Sequence, residues 1–156
     1  MKDIRFTFCD FSNPVHQITF LDLLNHYMTD PMGGCEPMKP DLQKLLISGI
    51  SKHPASFILF IENEVEPIGM AVCFINFSTF KAKPYINVHD LIVRNTYRGK
   101  GVGRKLLQQV IAIAEERDYC KVTLEVRDDN HNAKHLYKSL GFNDTEPVMH
   151  FWTRVI

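Results

Sequence analysis

The sequence predicts an α/β protein of the α+β type, with a mixed, mostly antiparallel sheet and helices on both faces. Three observations carry this. Apolar periodicity switches between two and 3.6 residues in the order β, α, α, β, β, β, α, β, α, β. The charged stretch ENEVEP joins two β-prone runs as a hairpin would, giving antiparallel neighbours. Later, a strand, a glycine-rich turn, a helix and another strand follow one another as a single βαβ crossover.

Asp3 to Cys9 alternates, with Ile4, Phe6 and Phe8 on one side, as a half-buried strand does. Asn13 before Pro14 is a helix cap and first-turn signal, and Val15, Ile18, Leu21, Leu24 and Met28 recur at helical spacing until TDPMGG. A second helix is expected from Pro40 to Ser51, carrying Leu42, Leu45, Leu46 and Ile50. Ser56 to Glu62 and Ile68 to Phe77 form the hairpin, FSTFKAKP a loop, and YINVHDLIV (Tyr85 to Val93) the next strand. RNTYRGKGVG leads into a helix whose Val102, Leu106, Val110, Ile111 and Ala114 share a face. Lys121 to Arg127 alternates as a strand, Asn132 to Leu140 reads as a short helix stopped by Gly141, and PVMHFWTRVI as a last strand.

A chain of 156 residues is about one domain long and buries roughly two-thirds of its unfolded surface, so residues 1–156 are expected to form a single domain. Eighteen Lys and Arg against eighteen Asp and Glu leave no net charge, which argues against nucleic acid or an anionic membrane as partner and favours a small ligand. Cys9, Cys35, Cys73 and Cys120 lie apart and mostly within apolar runs; they read as core thiols in a reducing compartment, with no disulfide framework and no metal site. MKDIRFTFCD carries no signal-peptide pattern, and no apolar run reaches the about 18 residues that span a bilayer. A cytoplasmic protein is expected.

The stretch RGKGVGRKLL raises the question of function. It lacks the GxxxxGK[ST] of a P-loop and the third glycine of a dinucleotide fingerprint. What remains is RxxGxG, Arg98 to Gly103, entering a helix with Arg104 and Lys105 in its first turn. Cations there oppose the helix dipole unless an anion joins them, which suggests a polyphosphate. The same residues could also form a plain β-to-α turn with solvated basic side chains.

The stretch resembles the [QR]xxGx[GA] signature of the GNAT superfamily of N-acetyltransferases. NHNAKHLYKSLGF adds that family's second pattern through Asn130, Ala133, Tyr137, Gly141 and Phe142. Both occur in the family's order and spacing, with some similarity to the polyamine N-acetyltransferase branch. The resemblance implies the GNAT fold, with a splayed pair of parallel strands, and acetyl-CoA as donor. Its pyrophosphate would lie against the amides of Arg98, Gly99, Lys100, Gly101, Val102, Gly103 and Arg104. The pantetheine would run beside the backbone of Leu91, Ile92 and Val93, with Asn130, Ala133 and Lys138 as further contacts.

Acetyl transfer to an amine needs a neutral nucleophile and a proton for the departing thiolate. Tyr137 matches the family tyrosine that donates this proton; a phenol, with a reference pKa of ~10, is protonated at neutral pH. For the base, His89 and Asp90 lie in the strand before the pantetheine segment, and strand alternation turns one of them away unless a bulge intervenes. Histidine stands where that branch commonly has glutamate, which weakens any transfer of its substrate. A strand histidine bonded to backbone, and a buried aspartate serving a helix or loop amide, are the plainer readings.

Glu36 or Asp30, in the connector between the first two helices, could hold an ammonium group, and FSTFKAKPY could form an aromatic wall opposite. His131 and His135 share the i, i+4 spacing of metal ligands but lack a third ligand. Lys134 and Lys138 could touch the 3′-phosphate of CoA. The expected activity is direct acetyl transfer to a primary amine of a small molecule; protein acetylation and a non-catalytic acyl-CoA sensor are the alternatives. Phe151, Trp152 and Val155 could pair the last strand across a homodimer.

Overall fold

Short apolar β-branched runs and two Pro-initiated helices set the order of elements. The structure, a computed structural model, describes residues 4–34 and 36–156. The expected strand start at Asp3 and the thiol of Cys35 lie outside the described residues. The chain divides after Glu125 into two compact units.

The first unit holds β1 (Arg5–Phe8), α1 (Pro14–Met28), α2 (Pro40–Ile50), β2 (Ser56–Glu62), β3 (Pro67–Ser78), β4 (Lys83–Val93), a 3₁₀ turn (Asn95–Tyr97), α3 (Val102–Glu116) and β5 (Val122–Leu124). The sheet runs β1-β2-β3-β4-β5. Its first three pairings are antiparallel, and β4 pairs with β5 in parallel. The GNAT-type mixed sheet expected from the sequence is thus present, with helices on both faces.

One face receives α1 and α2. Phe20 and Leu23 of α1 pack against Ile58 and Phe60 of β2, Met70 and Val72 of β3 and Ile92 of β4, with Leu46, Ile47 and Ile50 of α2 at the margin. Alternation along the strands sends Leu59, Ile61, Ala71, Cys73, Ile86 and Val88 to the other face, where α3 buries Val102, Leu106, Leu107, Val110 and Ile113. At roughly 25 cal/mol per Å² of apolar surface removed from water, these two layers are the main source of stability.

Several expectations are corrected. The buried stripe of α1 is Phe20 and Leu23, while Val15 and Ile18 are about two-thirds exposed at 66% and 68%. Spacing alone did not fix the rotation of that helix, because apolar residues occur nearly all round it. The loop FSTFKAKP shrinks to residues 79–82, since β3 reaches Ser78 and β4 starts at Lys83. β5 covers only Val122–Leu124, so the alternation of Lys121 to Arg127 outruns its pairing partner.

The second unit contains α4 (His131–Lys138). Asn130 caps it by accepting from the Ala133 amide at 3.1 Å. Its end closes as the amide of Phe142 donates to the Tyr137 carbonyl at 3.1 Å, with Gly141 at φ 87. The expected last strand does not form: residues 143–156 carry no strand, and Val148, Met149, Phe151, Trp152 and Val155 are exposed. The adjacent pairs Val148/Met149 and Phe151/Trp152 break the period of two that gives a strand one apolar side.

Candidate active site

The site is built on one irregularity of β4. Opposite β3 the register runs Val72↔Asp90 and then Cys73↔Val88, so His89 is an extra residue, a β-bulge. A bulge resets alternation: Val88 lies with Cys73 on the α3 face, while Asp90 shares the α1/α2 face with Val72 and Ile92 with Met70. His89 stays on this face too, its ring 5.5 Å from that of Phe74. The expectation that one of the two residues faces away is therefore corrected, because the bulge brings both to the same side.

They line a cavity of about 300 Å³ in the first unit. Phe20 and Leu24 of α1, Leu42, Leu46 and Ile50 of α2, and Met38 of the connector form one side; Val72 and Phe74 of β3 form the floor with His89 and Asp90. Burial pushes the Asp90 carboxyl above the usual carboxylate range, and the His89 imidazole pulls weakly the other way. Among the described residues no hydrogen bond or ion pair reaches that carboxyl.

Beyond the bulge, β4 keeps β3 on one edge and loses β5 on the other. β5 matches only Ile86, Val88 and the residue between them, so the edge of Leu91, Ile92 and Val93 is unpaired by β5. Here two parallel strands part, leaving main-chain groups that an extended chain could bond. Close packing holds this stretch in place: a Cβ on Gly69 would lie 2.5 Å from the Ile92 carbonyl oxygen.

The strand then passes through the 3₁₀ turn into the glycine loop. Gly99 and Gly101 have φ of 71 and 79, the left-handed region that disfavours a side chain. A Cβ at either position would meet nothing within 4 Å, so the loop borders open space. Gly101 is the cap of α3, and the amides of Val102, Gly103 and Arg104 precede the first intrahelical bond, from Lys105 to the Gly101 carbonyl. No acidic residue lies in that first turn. The residues present therefore fit a pyrophosphate: donors, two basic side chains and room.

Arg98 has different work. Its amide donates to the Asn95 carbonyl, its Nε to the Val93 carbonyl at 3.0 Å, and its Nη1 pairs with Asp30 at 2.8 Å. It braces the glycine loop to the α1–α2 connector. Asp30, which also accepts from the Met32 amide, is held below the usual carboxylate range first by that bond and then by Arg98. The expectation that Asp30 holds an ammonium group is thus corrected; its charge is already met. Glu36 is exposed. Phe77 and Phe80, expected as an aromatic wall, are 61% and 100% exposed, and Phe74 takes that place in the cavity. Sequence reading missed Phe74 and Leu46 as cavity walls and Arg98 as a brace to Asp30, because each depends on residues distant in sequence. Lys100 sits 5.5 Å over the Tyr97 ring.

In the second unit, α4 carries Ala133, Tyr137 and Lys138. The Tyr137 ring lies 6.1 Å from that of Phe142. Lys138, His131 and His135 are exposed, and Lys134 pairs with Asp128 at 2.6 Å, which raises the lysine and lowers the carboxyl. Among the described residues no group of three His, Cys, Asp or Glu side chains comes together as metal ligands. Burial pushes the thiols of Cys9 and Cys73 up to about 12, Asp90 adding to the effect at Cys73. Among the described residues no helix is long and apolar enough to cross a membrane.

Comparison with known proteins follows the same lines. Bovine (Bos taurus) thialysine N-epsilon-acetyltransferase is 34% identical over 77 residues, 49% of this chain and 45% of that protein. Streptothricin acetyltransferase A of Bacillus subtilis is 35% identical over 88 residues, 56% of this chain and 47% of that protein. The chain spans about half the length of such curated relatives. An integron cassette protein from V. cholerae superposes with a TM-score of 0.83 at 20% identity, covering 97% of this chain and 93% of its own. An aminoglycoside acetyltransferase from an uncultured soil metagenomic sample, solved with sisomicin, gives 0.80 at 14%, covering 98% and 97%; at these identities both show the fold alone. The model of the acetyltransferase (GNAT) family matches residues 20–142, from α1 through the bulge, the glycine loop and α4, and this chain belongs to that family.

Proposed function

We propose that residues 1–156 act as one N-acetyltransferase domain that moves an acetyl group from acetyl-CoA directly to a primary amine of a small molecule. The observation that carries this reading is the bulge at His89, which sets a cavity with an unpartnered carboxyl on the strand whose edge is left unpaired by β5 and which leads into the open glycine loop. The family match running through both units supports it.

Acetyl-CoA supplies the acetyl group as a thioester. Gly99 to Arg104 hold its pyrophosphate, by amides and helix dipole, and Leu91 to Val93 line its pantetheine by main-chain groups. Asp90 receives the ammonium head of the acceptor, and its raised basicity suits it to draw off a proton, with exposed His89 passing that proton to water. The neutral nitrogen forms the C–N bond at the carbonyl carbon as the C–S bond breaks. Tyr137, in the role its motif implies, protonates the departing thiolate, and the proton shed by the newly acylated nitrogen restores its phenol. Mixing the chain with acetyl-CoA and an amine panel tests this: thiol release and an N-acetyl product are expected, and slow hydrolysis alone would refute it.

A further inference from the structure

The cavity between α1, α2 and β4 holds a single carboxyl amid hydrocarbon. Phe20, Leu24, Leu46, Ile50 and Phe74 surround it, and Leu42, 48% exposed, stands at its mouth. The titratable groups nearest Asp90 are His89 on its own strand and Cys73 on β3; α1 and α2 offer none to the lining. Accepting the acetyl-transfer reading, we propose that the acceptor is an apolar primary monoamine, its head paired with Asp90 and its aliphatic or aromatic body filling the cavity.

Two physical points decide the class. A second or third ammonium group would lie against the hydrocarbon of the wall or beside Leu42 at the mouth, where Asp90 is the one carboxylate in the lining and is already paired with the head, so polyamines and aminoglycosides are disfavoured. Asp30 is bonded to Arg98, and Glu36 and Asp41 are not among the residues lining the cavity. A volume of about 300 Å³ lies at the small end of ligand pockets, which run from about 300 to 1,000 Å³, so the body is one ring or a short alkyl chain.

The test is binding by calorimetry to the full chain with CoA present, using phenethylamine, pentylamine, cadaverine, spermidine and kanamycin, with CoA thiol release from acetyl-CoA in parallel. Phenethylamine and pentylamine are expected to bind about tenfold or more tighter than spermidine and kanamycin, and Asp90→Asn to weaken both monoamines by a similar factor. Leu42→Glu, at a surface position that spares the fold, should turn preference from pentylamine toward cadaverine. Equal or tighter binding of spermidine or kanamycin, no binding of either monoamine, or no change in preference in Leu42→Glu overturns the substrate class. Monoamine binding with these variant effects but without thiol release upholds the class and overturns the acetyl-transfer reading instead.

Discussion

Asp90→Asn should make the protein more stable and less active at once. The carboxyl lies in an apolar wall without a hydrogen-bond partner among the described residues, and burial raises its pKa. Asp90 is only half-buried, so part of its charge is still solvated; replacing the carboxylate by a neutral isostere should recover at most on the order of 1 kcal/mol. For a chain of this size that is roughly 2–4 °C in Tm. The pH dependence follows from the sign of the shift. A folded-state pKa raised above the unfolded value means that stability from the neutral carboxyl is fully present below the unfolded pKa, ~3.9, and is lost as pH rises through the folded pKa. The variant and the parent should thus melt together below about pH 3.9 and diverge above it, the variant higher. His89 and Cys73, the titratable neighbours, are unchanged between the two proteins. Thermal melts across pH, paired with amine turnover, read both effects. A variant that melts lower at neutral pH, or a gap independent of pH, would refute the reasoning about this carboxyl.

Gly69→Ala puts a Cβ 2.5 Å from the Ile92 carbonyl oxygen, so β3 and β4 must move apart; a loss of about 1–3 kcal/mol by chemical denaturation is expected, with weaker acetyl-CoA binding. Gly101→Asn keeps a residue type that tolerates φ 79 but fills the open space beside α3, and calorimetry should show acetyl-CoA affinity reduced by about tenfold or more with an unchanged melt. Tyr137→Phe should lower kcat by roughly 100-fold while leaving acetyl-CoA affinity alone, since it removes a proton donor and hardly any volume. Unchanged turnover in steady-state kinetics would dismiss Tyr137 as the acid.

The periodic signals were the legible part of this chain. Ser56–Glu62, Pro14–Met28 and Pro40 as a helix start were readable because caps, proline and continuous apolar runs act locally. The glycine loop was readable because positive φ at Gly99 and Gly101 demands that residue type. Tertiary choices were not. Which face of α1 is buried depends on the sheet it meets, so Phe20 and Leu23 won over Val15 and Ile18. The bulge at His89 depends on the register of β3 against β4, and no local pattern in YINVHDLIV records it. That register decides whether Asp90 lies in the cavity or under α3. The Arg98–Asp30 pair joins residues 68 apart in sequence, a distance across which charge alone gives no pairing rule.

On the proposed reading, the strand through His89 and Asp90 serves an amine acetylated from acetyl-CoA. Mass spectrometry of phenethylamine after incubation with acetyl-CoA and the full chain, beside the Asp90→Asn variant, tests it most directly. One acetyl group on the amine nitrogen is expected with the parent chain, and a marked loss with the variant. No acetylated amine from the parent, or equal product from both, would contradict it.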